Sequence, residues 1–193
     1  VETCVVLGPT GAGKTRLMRQ WARQSAGDQL WTLIQRGGID PDDGLPPHVM
    51  GLALAHDCAC CNGKLVLQTH LGRTLRLRRP HRVFIEADHT AHVGALMDWL
   101  GSGQWSNWLA PARCVLLLPL SARQDASTEE ALVRQADVVC VIDAHRYAAH
   151  EVAARLLDLR RFGGAAQVRI NAPLNDLRWS MIQGALASGR RPL

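Results

Sequence analysis

Short, nearly continuous apolar runs alternate along the chain with longer stretches in which apolar residues return every three or four positions. The runs Thr3–Gly8, Leu30–Gln35, Val83–Glu86, Cys114–Leu118, Asp137–Asp143 and Gln167–Ile170 are rich in Val, Ile and Leu and of strand length. Lys14–Ser25 carries Leu17, Met18, Trp21 and Ala22 at helical spacing, and Ala91–Leu100, Thr128–Gln135, Ala148–Leu159 and Asn175–Leu186 repeat the pattern. Apolar strands alternating with helices predict an α/β fold, a mostly parallel β-sheet flanked by helices on both faces. Arg36–His48 holds three prolines, three glycines and three aspartates, which predicts a long exposed loop. The basic run Arg73–Arg82, interleaved with leucines, reads as one face of a helix or a strand.

Composition narrows this. At 193 residues and 47% hydrophobic, the chain suffices for one globular domain over 1–193, with 188–193 expected to be a frayed polar tail. No apolar run approaches the ~20 residues needed to span a bilayer, so a membrane is not expected as a partner. The first residues lack the basic start of a secretory leader, so a reducing cytoplasmic setting is expected. Lys and Arg number 22 against 17 Asp and Glu, a net charge of +5 that favours anionic ligands. Nucleic acid is not expected, because the arginines are scattered and Phe and Tyr total only two and one.

The sharpest local signal is Gly8-Pro9-Thr10-Gly11-Ala12-Gly13-Lys14-Thr15, a G-x-x-x-x-G-K-[ST] stretch between a strand and an amphipathic helix. Glycines there let successive N–H groups turn inward, and the positive helix end completes a cradle for a polyphosphate. Gly11, Ala12, Gly13, Lys14, Thr15 and Arg16 are the expected nucleotide contacts. Lys14 should reach the β- and γ-phosphates, and the Thr15 hydroxyl should ligate Mg²⁺. A second carboxylate must complete the metal shell from a neighbouring strand end. Glu86 is the first choice, Asp88 the second, with Asp143 competing; a helix cap is the alternative role for Asp88.

Cys58, Cys60 and Cys61 crowd three thiols into four residues, which suits Zn²⁺ or another thiophilic ion better than separate disulfides. By contrast Cys4, Cys114 and Cys140 lie inside apolar runs and read as small core residues.

Taken in order, Gly8–Thr15, Cys58–Cys61 and Glu86-Ala87-Asp88-His89 resemble the GxxGxGKT loop, CxCC motif and E-T-S-G strand end of the CobW-type family of metal-handling P-loop GTPases. Gly37-Gly38-Ile39-Asp40 resembles the family's switch stretch, which implies that Asp40 sits near the Mg²⁺. The resemblance implies a P-loop NTPase fold, GTP binding with slow hydrolysis, and carriage of Zn²⁺ to a client protein. Lys14 and Mg²⁺ would then stabilise charge on the γ-phosphate, with Glu86 or Asp88 holding the water. Because one glycine-rich loop from Gly37 to Cys61 lies between the two sites, that loop is expected to change shape with the γ-phosphate and so alter metal affinity. The chain departs from the family at His89, where a glycine is expected, and at Asp143-Ala144-His145-Arg146, where N-K-x-D is expected. A non-hydrolysing nucleotide-binding module and a small-molecule kinase are the alternative readings, and a homodimer is an assembly the sequence allows.

Overall fold

The computed structural model describes residues 1–37, 44–54, 64–88, 93–121, 125–162 and 168–188. Asp40, Cys58, Cys60, Cys61 and His89 lie outside the described residues, as do the tail beyond 188 and the side chain of Asp88. Seven strands form one sheet in the order β3-β2-β4-β1-β5-β6-β7, and every pairing is parallel. They are β1 (Glu2–Gly8), β2 (Trp31–Arg36), β3 (Val49–Leu54), β4 (Arg82–Asp88), β5 (Arg113–Pro119), β6 (Val138–Ile142) and β7 (Val168–Asn171). The helices are α1 (Lys14–Arg23), α2 (Lys64–Leu77), α3 (Val93–Leu100), α4 (Ala126–Gln135), α5 (Ala149–Phe162) and α6 (Trp179–Ser188).

Alternate residues of each central strand enter opposite cores, as the two-residue period of a strand requires. Cys4 and Val6 of β1 and Phe84 of β4 join Leu17, Trp21, Trp179 and Ile182 beneath α1 and α6. Val5, Leu7, Val83 and Ile85 turn the other way and join Leu71, Leu96, Leu132 and Leu159 of α2, α3, α4 and α5. This double cover accounts for the continuous apolar runs, and the expected α/β fold with a parallel sheet is what forms. Cys4, Cys114 and Cys140 are all buried free thiols, and burial pushes Cys114 and Cys140 up to about 12, so they remain protonated packing groups.

Three elements depart from expectation, the first being the helix read over Asn175–Leu186, which begins only at Trp179 after a 3₁₀ turn over Leu174–Asp176. The stretch from Gly37 to Cys61 is not a single loop, because Val49–Leu54 pairs with β2 as the edge strand β3. The run Arg73–Arg82 is not one element either. Helix α2 ends at Leu77, Arg79 adopts a left-handed φ of 47°, and β4 begins at Arg82 after Pro80. Proline cannot continue a helix and restricts the residue before it, so the break falls there.

The chain order fixes where a ligand is received. From β1 the chain builds β2 and β3 on one side and returns through β4, which lies against β1. It then crosses to β5 on the other side of β1. Such a reversal opens a crevice beyond the carboxyl ends of the central strands, the usual ligand position in open parallel sheets.

Candidate nucleotide-binding site

Residues 9–13 bridge β1 and α1 at that crevice. Gly8 is required by close approach, since a Cβ there would fall 2.5 Å from the Leu117 carbonyl oxygen of β5. Gly13 has a left-handed φ of 81°, which glycine adopts without a steric penalty, and it caps the amino end of α1. The first turn of α1 carries no acidic residue of its own, which leaves its positive end to groups from other elements. The Ala12 amide donates to the Pro9 carbonyl at 3.1 Å, which closes the loop on itself.

Lys14 is almost wholly buried, and its ammonium donates to the carbonyl oxygens of Gly8 at 2.9 Å and Pro9 at 3.1 Å. Its charge is therefore held inside the loop it follows. One residue on, the Thr15 hydroxyl donates to Glu86 Oε2 at 2.7 Å across 71 residues of sequence. Parallel register explains the meeting: Val6 pairs with Glu86 and Gly8 with Asp88, so β4 ends level with the loop. Glu86 keeps only 8% of its surface exposed. A hydroxyl and a buried carboxylate this close form the hard-oxygen donor pair that suits Mg²⁺. Among the described residues no group of three or more His, Cys, Asp or Glu forms a metal cluster.

The loop is one wall of a cleft of about 730 Å³, lined further by Pro119, Ser121, Asp143, His145 and Arg146 at the ends of β5 and β6. Asp143 closes β6 with a left-handed φ of 62°, and it lines this cleft whereas Glu86 holds the Thr15 hydroxyl. The opposite wall, Pro173 to Asn175, carries no sequence signature. It is tied to α1 by hydrogen bonds from Arg16 to Asn175 Oδ1 at 2.8 Å, Gln20 to the Asn175 carbonyl at 2.7 Å and Trp21 Nε1 to the Leu177 carbonyl at 2.8 Å. Residues 16 and 20 are one turn apart and share a face of α1, and the buried Trp21 reaches the same segment from the core side, so the three donors fasten this wall beside the loop. Leu174 thereby lies against Gly13. Arg16, expected to contact nucleotide, spends one guanidinium nitrogen on this tie.

A glycine-rich loop between the central strand of a parallel sheet and a helix, with a hydroxyl and a carboxylate at its edge, defines a P-loop nucleotide-binding protein. The chain belongs to the family described as "CobW/HypB/UreG, nucleotide-binding domain", which residues 2–131 match. Similar solved structures carry the same fold. The hydrogenase maturation factor HypB from Archaeoglobus fulgidus superposes with a TM-score of 0.64 at 12% identity, over 96% of this chain and 90% of that one. HypB from Helicobacter pylori in complex with nickel gives 0.56 at 14% identity, over 99% of this chain and 90% of that one. The Zn(II)-bound YjiA GTPase from E. coli gives 0.61 at 15%, over 88% of this chain and 56% of that one, so the chain spans a little over half of YjiA. No curated protein sequence matches the chain. Among the described residues no helix is long and apolar enough to cross a membrane.

Proposed function

We propose that this chain is a nucleotide-dependent metal handler, with residues 1–193 acting as one unit that binds Mg²⁺–GTP in the cleft and holds Zn²⁺ or a similar ion on Cys58, Cys60 and Cys61. The observation that carries the nucleotide half is the 2.7 Å contact between Thr15 and Glu86 at the mouth of the loop. Thr15 and Glu86 are the residues that would hold Mg²⁺, which when bound neutralises charge on the β- and γ-phosphate oxygens. The amides of Gly11 to Thr15 receive the phosphate oxygens, and Lys14 exchanges loop carbonyls for phosphate. Glu86 or Asp88 orients water for attack on the γ-phosphate. The walls at His145, Arg146 and Asn175 receive the base and offer it polar groups without an N-K-x-D motif. The metal half rests on donor chemistry: three closely spaced thiolates suit a thiophilic ion. The nickel and zinc in the HypB and YjiA structures support this reading.

Two measurements test the proposal. Zn²⁺ affinity, read by competition with a chromophoric chelator, should differ at least about fivefold between GTP-bound and GDP-bound protein, the lower range of allosteric coupling. Equal affinity with GTP, GDP and no nucleotide would end the coupling. Phosphate release from GTP should be slow but above background and lost in Lys14→Ala; binding with no release would leave a regulatory module in its place.

A further inference from the structure

Remote from the loop, α2 and the turn segment 101–109 enclose a groove of about 710 Å³. From α2 it takes Leu65, Thr69, Gly72 and Arg76, which lie at i, i+4, i+7 and i+11 on a stripe beside the buried Leu67, Leu71 and Leu75. Gly72 forms the floor, for a Cβ there would stand 3.8 Å from the Trp105 ring. The far wall is fixed before anything binds. Trp105 meets Trp99 edge to face at 5.2 Å, and the Gln104 amide oxygen, in its satisfied orientation, accepts from both indole N–H groups at 2.9 and 2.8 Å. Around this rigid floor large apolar groups face water: Leu65 is 75% exposed, Leu77 72% and Trp108 41%. A preformed concavity ringed by an aromatic and leucines is the anatomy of a helix-binding groove.

Charge selects the occupant. From Lys64 to Ile85 the chain has Lys64, Arg73, Arg76, Arg78, Arg79 and Arg82 and no Asp or Glu. Arg73 and Arg76 are exposed at the groove, and among the described residues neither forms an ion pair. A second copy meeting this groove through its own groove, about a two-fold axis, would set these arginines against their own kind. We propose that the groove docks an acidic amphipathic helix of a partner protein, its leucine-type anchors seated on Gly72 and Trp105 and its carboxylates meeting Arg73 and Arg76.

The full chain is titrated against a fluorescein-labelled, acetylated helix of about 20 residues, long enough to hold helicity. It has Leu at i, i+4, i+7 and i+11 and flanking Glu; a counterpart replaces each Glu with Lys. Anisotropy should show the acidic helix binding and the basic one not, with affinity falling as salt is added. Trp108→Ala should weaken binding at least about fivefold. The double change Arg73→Glu and Arg76→Glu should weaken the acidic helix and admit the basic one, a reversal that unfolding cannot mimic. Equal binding of both helices, or binding of neither, would overturn the proposal. So would a dimer in sedimentation velocity that Trp108→Ala dissociates, or preferential binding of a single-stranded oligonucleotide.

Discussion

Replacing Glu86 with Gln separates the role of this residue in the fold from its role toward nucleotide. Glu86 is nearly buried and accepts the Thr15 hydroxyl at 2.7 Å. A hydrogen bond to a charged group contributes about 1.5–3 kcal/mol and a neutral one about 1 kcal/mol, so the amide loses about 0.5–2 kcal/mol of that bond. Against this, the amide avoids the desolvation of a nearly buried carboxylate, still worth several kcal/mol after relaxation. The relief equals or exceeds the loss, so the nucleotide-free variant should be no less stable than the natural protein in urea melts. Nucleotide binding should respond differently, because the variant loses the carboxylate that Thr15 touches. Titration of a fluorescent GTP analogue with Mg²⁺ and with EDTA gives a ratio of dissociation constants. That ratio should be large for the natural protein and at least about tenfold smaller for Glu86→Gln, a loss of about 1.4 kcal/mol. Thr15→Val should behave alike and Thr15→Ser should not. An unchanged ratio in a folded Glu86→Gln protein would refute the assignment of Glu86 to the metal shell.

Burial pushes Cys114 and Cys140 up to about 12, and Cys4 is raised as well, whereas an unfolded thiol ionises near pH 8.5. The unfolded chain therefore binds fewer protons above that pH. Stability should be complete below about pH 8.5 and fall by about 1.4 kcal/mol per pH unit per thiol up to about pH 12. Urea midpoints between pH 8 and 10 should show that slope, reduced in Cys140→Ala. Glu129 of α4 and Arg155 of α5 form a buried two-pronged ion pair at 2.7 and 2.9 Å. Removing either partner should cost about 3–5 kcal/mol, while replacing both with Leu should leave stability within about 2 kcal/mol, as read in a double-mutant cycle.

The nucleotide loop is legible in sequence because its chemistry is local: glycines at 8, 11 and 13 and Lys14 are set by the backbone of a few residues. Strands β1, β4, β5 and β6 are legible because both faces of the sheet are covered, which makes them unbroken apolar runs. Strand β3 hides because it is an edge strand, half-buried along most of its length, with Gly51 at its centre. Helix α2 hides for the opposite reason. Its buried stripe is clear, but Leu65, Val66 and Leu77 on the exposed side erase the contrast between faces. The far wall of the cleft could not be read at all, since Asn175 and Leu177 reach α1 through hydrogen bonds spanning more than 150 residues. Glu86 could be singled out as a carboxylate at a strand end, but its meeting with Thr15 depends on β4 inserting beside β1.

The most direct measurement is calorimetric titration of the protein with GTP and with ATP in the presence of Mg²⁺, repeated for Lys14→Ala with its helix content verified by circular dichroism. A saturable heat at one site per chain, stronger for GTP and absent in the variant, is the expected result. No heat with either nucleotide, or an affinity the variant retains, would show that the loop between β1 and α1 does not grip a triphosphate.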